Sequence, residues 1–332
     1  MSYEIAPISI RFKNWGHEVS EVEREFFKKL FEKAFYRKVA VVESDKPYVD
    51  VQIESFYNGK ITPDLSTRAY RFLKSNLPGG INFNNPKFSV NQQPEKNSKY
   101  SVFCTLENVR PPEGNWDAYL SYDLHSFAGR NSYLPLWWIT STDLLFPKIS
   151  PYLGKEISIK DLIAPRNTIG QYDKRNKFCA AFIGKAYPLR MHAISALSKI
   201  GKVDVFGAVS RSSNTRKTIS KFEISKNYRF VFAFENDFYP GYVTEKAPEA
   251  WATGAVPLYW GLDSSGYINQ DSLINLANFK NLDLFIDRVK QVNNSKKLWE
   301  RYSSEPFLRK APTLDNVLSN LRSNLVTLNR QK

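Results

Sequence analysis

The chain has 332 residues, 42% hydrophobic and 24% charged, with a formal net charge of +14. This is the balance of an ordinary soluble globular protein long enough for two domains, each with its own core. Its longest apolar run, near 134–139, falls far short of the roughly 20 residues a membrane-spanning helix needs, and the three histidines and two cysteines show no zinc-binding spacing.

The first predicted elements are a strand over 8–12 and a helix that Ser20 caps, with Glu23 three residues on completing a capping box. Val22, Phe26, Leu30 and Phe31 give that helix its apolar face. Strands are expected at 39–42 and 49–53. The segment 55–99, with Pro78-Gly79-Gly80 and many asparagines, is poor in regular signals; it reads either as a mobile loop over a cleft or as an elaborated surface. A strand over 102–106 delivers Glu107 to its carboxyl end, at the start of a proline-rich loop. Glu107 is a candidate general base; the alternative is a loop carboxylate capping a backbone N–H. Glu113, Asp117 and Asp123 compete with it, Asp117 and Asp123 reading more naturally as strand-end or turn caps. Cys104 and Cys179 sit in apolar runs as buried free thiols, and Trp15, Trp116, Trp137 and Trp138 read mainly as core, with sugar stacking as the alternative.

Two strand–loop–helix–strand units follow. In the first, a strand over 178–183 leads through Gly184-Lys185-Ala186-Tyr187 to a helix opened by Pro188, with Leu189, Ala193, Leu197 and Ile200 on one face, Gly201 as the stop and a strand over 203–206. Arg190 lies in its first turn, where its charge opposes the helix dipole and its planar fork suits phosphate oxygens. In the second, a strand over 230–234 meets turn residues Glu235-Asn236-Asp237 and Pro240-Gly241, a helix with Thr244 as expected N-cap, and a strand over 256–260. Lys246 falls at that helix start, a place that suits a lysine only when an anion completes the arrangement; the alternative is a solvated lysine paired with Glu245 or Glu249. Open α/β sheets bind ligands beyond the carboxyl ends of their strands. Arg190 and Lys246 are thus candidates to share one diphosphate. A last helical pattern runs over 314–328.

The stretch FVFAFENDFYPGYVTEKAPEAWATGAVPLYWG resembles the donor-binding signature of the bacterial α-1,3/4-fucosyltransferases, and PLRMHAISALSKIGKVDVFG and the segment 100–138 extend the similarity. The resemblance implies an α/β GT-B fold: two Rossmann-like domains facing across a cleft, with a C-terminal helix returning to the first. The expected divisions are 1–155 for an acceptor-binding domain, 156–174 for a linker, 175–312 for a GDP-sugar-binding domain and 313–332 for the returning helix. It implies inverting transfer of L-fucose from GDP-β-L-fucose to a glycan hydroxyl, O3 of N-acetylglucosamine being the expected acceptor. Arg190 and Lys246 match the residues that hold the diphosphate, Tyr242 and Glu245 match further donor contacts, Asn236 matches the asparagine of the same motif, and Glu107 matches the catalytic base. Ala247-Pro248 departs from the bulky residues usual after Thr-Glu-Lys, which leaves another GDP-6-deoxyhexose on a surface polysaccharide as an alternative.

No Asp-x-Asp triplet is present, so no obligatory metal is expected, with a divalent ion at most stimulating. Neither a Walker loop nor a strand-linked Gly-x-Gly-x-x-Gly occurs, against a kinase or dinucleotide oxidoreductase. The basic charge raises nucleic-acid binding as a rival, but the basic residues are dispersed and no nucleic-acid-binding motif appears. No signal peptide is visible either; a cytoplasmic enzyme is expected, with weak attachment to the inner membrane surface if the acceptor is lipid-linked.

Overall fold

The computed structural model describes residues 6–15, 18–43, 46–56, 92–112, 114–207 and 220–328. Most of the segment 55–99, together with His17 and Glu113, lies outside the described residues.

The first half is a six-stranded parallel sheet in the order β2-β1-β3-β4-β5-β6, made of β1 (Ile8–Lys13), β2 (Val39–Val41), β3 (Val49–Glu54), β4 (Ser98–Thr105), β5 (Ala118–Ser121) and β6 (Asn131–Tyr133). Parallel strands are covered on both faces, and β3 and β4 are buried along most of their length even though β3 alternates Val49, Val51 and Ile53 with Asp50, Gln52 and Glu54. Helix α1 (Glu21–Phe35) begins with the expected capping box: the Ser20 hydroxyl accepts from the Glu23 N–H, and the Glu23 carboxylate accepts from the Ser20 N–H at 2.9 Å. Phe26, Phe27, Leu30, Phe31 and Ala34 on its inner face are fully buried. All four tryptophans weighed at the sequence level are buried too, and so are both cysteines.

The short α2 (Leu136–Thr140) leads into a connecting stretch that holds α3 (Ile159–Leu162) and α4 (Gln171–Lys174). Arg166 fastens this stretch to the second half by donating twice to the Ser303 carbonyl while its guanidinium stacks 3.8 Å above the Trp251 ring.

The second half is a five-stranded parallel sheet in the order β11-β10-β9-β7-β8. Its strands are β7 (Lys177–Phe182), β8 (Val203–Phe206), β9 (Tyr228–Phe234), β10 (Val256–Trp260) and β11 (Ile274–Asn275). Around them lie α5 (Pro188–Leu197), α6 (Lys221–Ser225), α7 (Lys246–Ala252), α8 (Leu282–Asn293) and α9 (Lys296–Ser304). Alternation along β9 sends Phe230, Phe232 and Phe234 into a core with Ile194, Phe285 and Trp299. Val231 and Ala233 face the other way, into a cluster continuous with the first sheet and the connecting stretch.

The last helix, α10 (Asp315–Asn324), returns to the first half. Arg322 donates to the Ala34 carbonyl at 2.6 Å, Asn320 donates to the carbonyls of Gly129 and Asn131, and Leu321 is fully buried. The helical pattern expected over 314–328 is shorter as a helix: it ends at Asn324, and a 3-10 turn over Val326–Leu328 finishes it.

Candidate active site at the cleft

Strand order reverses in the second sheet between β7, which has β8 on one side, and β9 on the other. At such a switch point the two strand-to-helix connections diverge and leave a crevice at the carboxyl edge. Arg190, buried in the first turn of α5, reaches across this crevice: one terminal nitrogen donates to the Phe234 carbonyl at 2.6 Å and to Asn236 Oδ1 at 2.8 Å. Its Nε is buried with no hydrogen-bond acceptor among the described residues. Burial holds the guanidinium pKa below its usual value despite the opposing influence of Glu235. Arg190 lines one cavity with Phe182, Lys221, Phe234, Lys246 and Glu249.

Lys246 pairs with one of the two carboxylates the alternative reading named, Glu245, and with a second it did not name, Glu235. Its ammonium donates to the Thr244 hydroxyl at 2.8 Å and lies 3.4 Å from both Glu235 and Glu245, while Glu249 pairs with Lys221 at 3.4 Å and accepts from Ser150. Burial disfavours the ammonium, but the Glu245 and Glu235 carboxylates outweigh it and raise its pKa. Glu245 is likewise buried, yet Lys246 and Lys221 hold it below the usual carboxylate range. Thr244 is not the helix cap. Its N–H and hydroxyl donate to the fully buried Glu235 at 2.8 and 2.6 Å, and α7 starts two residues later behind Glu245. Glu235, which burial pushes up in pKa, is the site residue that sequence reasoning passed over as turn chemistry. A carboxylate directly at the end of a buried strand, followed nine residues later by a threonine, was the available signal.

Glu107 comes from the other half. β4 ends at Thr105, one residue before the expected strand end, and the Thr105 hydroxyl and the Val109 N–H both donate to the Glu107 carbonyl. This pins the backbone and leaves the carboxylate to meet the Tyr242 hydroxyl at 3.4 Å. Burial raises the Glu107 pKa, Lys246 and Lys185 oppose the rise, and Glu245 and Glu235 add to it. Tyr242 is itself buried beside Glu107, which raises its pKa and keeps the hydroxyl a donor. The fold thus brings Glu107, Tyr242, Glu245, Lys246, Arg190 and Asn236 to one cleft from loops and helix starts of both halves. Of its competitors, Asp117 accepts from the Ser101 N–H and hydroxyl and Asp123 pairs with Arg110 at 3.0 Å, so both carboxylates are already engaged, while Glu113 lies outside the described residues.

A second cavity, about 460 Å³, opens beyond the carboxyl ends of β1 and β2, beside the start of α1. Lys13, Asn14, Trp15, Arg24, Glu43 and Glu95 line it.

Two parallel-sheet domains with a cleft between their carboxyl edges define a GT-B fold. Comparison with solved structures agrees: over 98% of this chain and 92% of the other, it superposes on the crystal structure of an alpha1,3-fucosyltransferase with GDP, at a TM-score of 0.64 and 20% identity. Residues 172–305 match the model of glycosyltransferase family 10 (fucosyltransferase), C-terminal part. The alpha-(1,3)-fucosyltransferase FucT of Helicobacter pylori is 26% identical over 268 residues, 74% of this chain and 56% of that protein. Alpha-(1,3)-fucosyltransferase B of Drosophila melanogaster is 21% identical over 75% of this chain and 57% of its own length. The chain therefore spans little more than half of each of these two relatives. Among the described residues, no helix is long and apolar enough to cross a membrane.

Proposed function

We propose that this protein is an inverting fucosyltransferase that moves L-fucose from GDP-β-L-fucose to a glycan hydroxyl. The observation that carries the reading is the pairing across one cleft of a half-buried, pKa-raised carboxylate, Glu107, with a cavity that holds Arg190 and Lys246. Arg190 adds a buried donor with no acceptor among the described residues, the property expected of a group kept for an anionic ligand.

In the proposed step the acceptor oxygen attacks the anomeric carbon as its proton passes to Glu107. The bond from that carbon to the diphosphate oxygen breaks with inversion, and GDP leaves with its new charge on Arg190 and Lys246. A positioned base contributes roughly 10²- to 10⁴-fold. Tyr242 donates to Glu107 and Asn236 orients Arg190. Glu245 and Glu235 hold Lys246 charged until the diphosphate arrives. These cations take the place of a metal on the leaving group, so chelation with EDTA should leave turnover within about threefold of the untreated enzyme. The polar cavity on the first sheet is where we place the acceptor, with O3 of N-acetylglucosamine as the expected nucleophile.

A donor screen with GDP-fucose, GDP-mannose and UDP-sugars tests the assignment. Turnover with GDP-fucose is expected, and turnover with a UDP-sugar alone would overturn it. Glu107→Gln should lower kcat by about 10²-fold or more while GDP affinity is kept; full activity in that variant removes Glu107 as the base.

A further inference from the structure

The contact between the two halves beside Glu107 is more extensive than a cleft requires. Three residues of the 239–242 turn each engage the first domain. The Tyr239 hydroxyl donates to Asp123 Oδ2 at 3.1 Å, and Arg110 donates to the same oxygen at 3.0 Å while lying over the Tyr239 ring at 5.1 Å. The Gly241 carbonyl accepts from the Tyr133 hydroxyl at 3.1 Å. The Tyr242 ring packs edge-on to Tyr122 at 5.1 Å, and Tyr122 also packs edge-on to Tyr239 at 5.7 Å and donates to Asn108, the neighbour of Glu107. Asp123 is itself buried and accepts a further bond from the His125 N–H.

Apart from Tyr242, the residues that form this contact have no place in the chemical step as proposed. We infer that Arg110, Asp123 and Tyr239 are positioning residues: an interdomain clasp that seats the 239–242 turn against the first domain and thereby sets the Tyr242 hydroxyl on the Glu107 carboxylate. An ion pair on a buried carboxylate, bridged by a hydroxyl from the other domain, has a definite geometry, because a carboxylate with three donors leaves little freedom to any of them. Losing one donor loosens the turn. The Tyr242 hydroxyl then leaves Glu107, whose ionised form loses a donor while the burial that disfavours it remains.

The inference rests on the proposed transfer reaction. Its test is Tyr239→Phe, which deletes one hydroxyl and keeps the ring over Arg110, with Asp123→Asn and Arg110→Lys as independent variants should the first fold poorly. Since a misplacement of about 1 Å can cost roughly a hundredfold, kcat should fall about tenfold or more, with GDP affinity by calorimetry within about twofold of wild type. The acid limb of the kcat profile should move to higher pH by about half a unit or more as Glu107 loses its donor. The other charged groups facing Glu107, namely Lys246, Glu245, Glu235 and Lys185, are unchanged in these variants, as are Tyr122, His125 and Asp237 around Asp123. Wild-type kcat with an unmoved acid limb in Tyr239→Phe overturns the clasp, and so does a loss of GDP affinity as large as the loss of kcat. Should the wild-type protein turn over no sugar nucleotide at all, the transfer reading fails separately. Amide hydrogen exchange in 107–110 and 239–242 then judges the clasp: faster exchange in the variant supports it, and unchanged exchange overturns it.

Discussion

Lys148 and Arg190 each bury a side-chain nitrogen without an acceptor among the described residues, and their surroundings give those nitrogens different consequences. The Lys148 ammonium lies 4.4 Å from the ring centre of Phe146 and 5.5 Å from that of Phe26, and burial lowers its pKa to about 8. Because the unfolded chain holds this proton more tightly, the residue weakens folding below pH 8, and stability recovers as pH rises from about 8 towards 10.5. Lys148→Met should therefore stabilise the protein at pH 7 by about 1–3 kcal/mol in urea titrations, with the gain shrinking above pH 8. Arg190 instead lines the cleft cavity. Arg190→Ala and Lys246→Ala should each weaken calorimetric GDP binding by about 1.5–3 kcal/mol if a charged hydrogen bond is lost, and unchanged affinity in both would remove the diphosphate assignment. The type of these residues was legible in the sequence. Their partners were legible only in part: the neighbouring Glu245 was in reach of local reasoning, but nothing in Thr-Glu-Lys tells that Lys246 also leans on Glu235, eleven positions back along the chain, because that contact depends on how the turn folds over the strand end.

Turns decide most of what happens at the level of elements. Gly241 was read as turn chemistry, and its φ of +84° agrees with that, but its position also answers to the other domain: a Cβ there would sit 2.6 Å from the Tyr122 carbonyl oxygen. Gly241→Ala should cost about 1–3 kcal/mol through strain and clash, and it should lower kcat more than it raises KM for GDP-fucose, a split that steady-state kinetics reads directly. Four of the five strands in the second sheet were open to sequence reasoning, since β8 (VDVF) and the wholly apolar β10 are short, β-branched or aromatic segments with glycine close to both ends. The α1 capping box was equally legible, because it depends on two side chains three residues apart. The cap of α7 was misread because Thr244 had a stronger acceptor than the helix offered. A buried carboxylate takes both its N–H and its hydroxyl, and the helix begins behind it.

At the scale of the molecule, α10 is the element that closes the chain on itself. It fills the gap between α1 and β6 with Leu318 and Leu321, and Arg322 caps the carbonyl end of α1. Leu321→Ala should cost about 2–5 kcal/mol, seen as a lower urea midpoint, even though the residue belongs to the last helix and is far in sequence from everything it touches. The apolar cluster running from the first sheet through the connecting stretch to Val231, Ala233 and Trp251 explains why the two halves meet firmly enough to fix a contact such as Tyr242 on Glu107.

The sequence by itself determined the alternation of strands and helices from β1 to β3 and from β7 to β10, the two strand-to-helix turns that carry Arg190 and Lys246, and the carboxylate at the end of β4. Each of these is a local pattern of apolar period, capping chemistry and charge within some 35 residues. Only the tertiary structure decided which carboxylates hold Lys246 and that Thr244 serves Glu235. It also decided that Asp123, Arg110 and Tyr239 close the domains beside Glu107. Those outcomes depend on groups up to 135 positions apart meeting across a cleft, as Tyr242 and Glu107 do, and no local pattern encodes a distance of that kind.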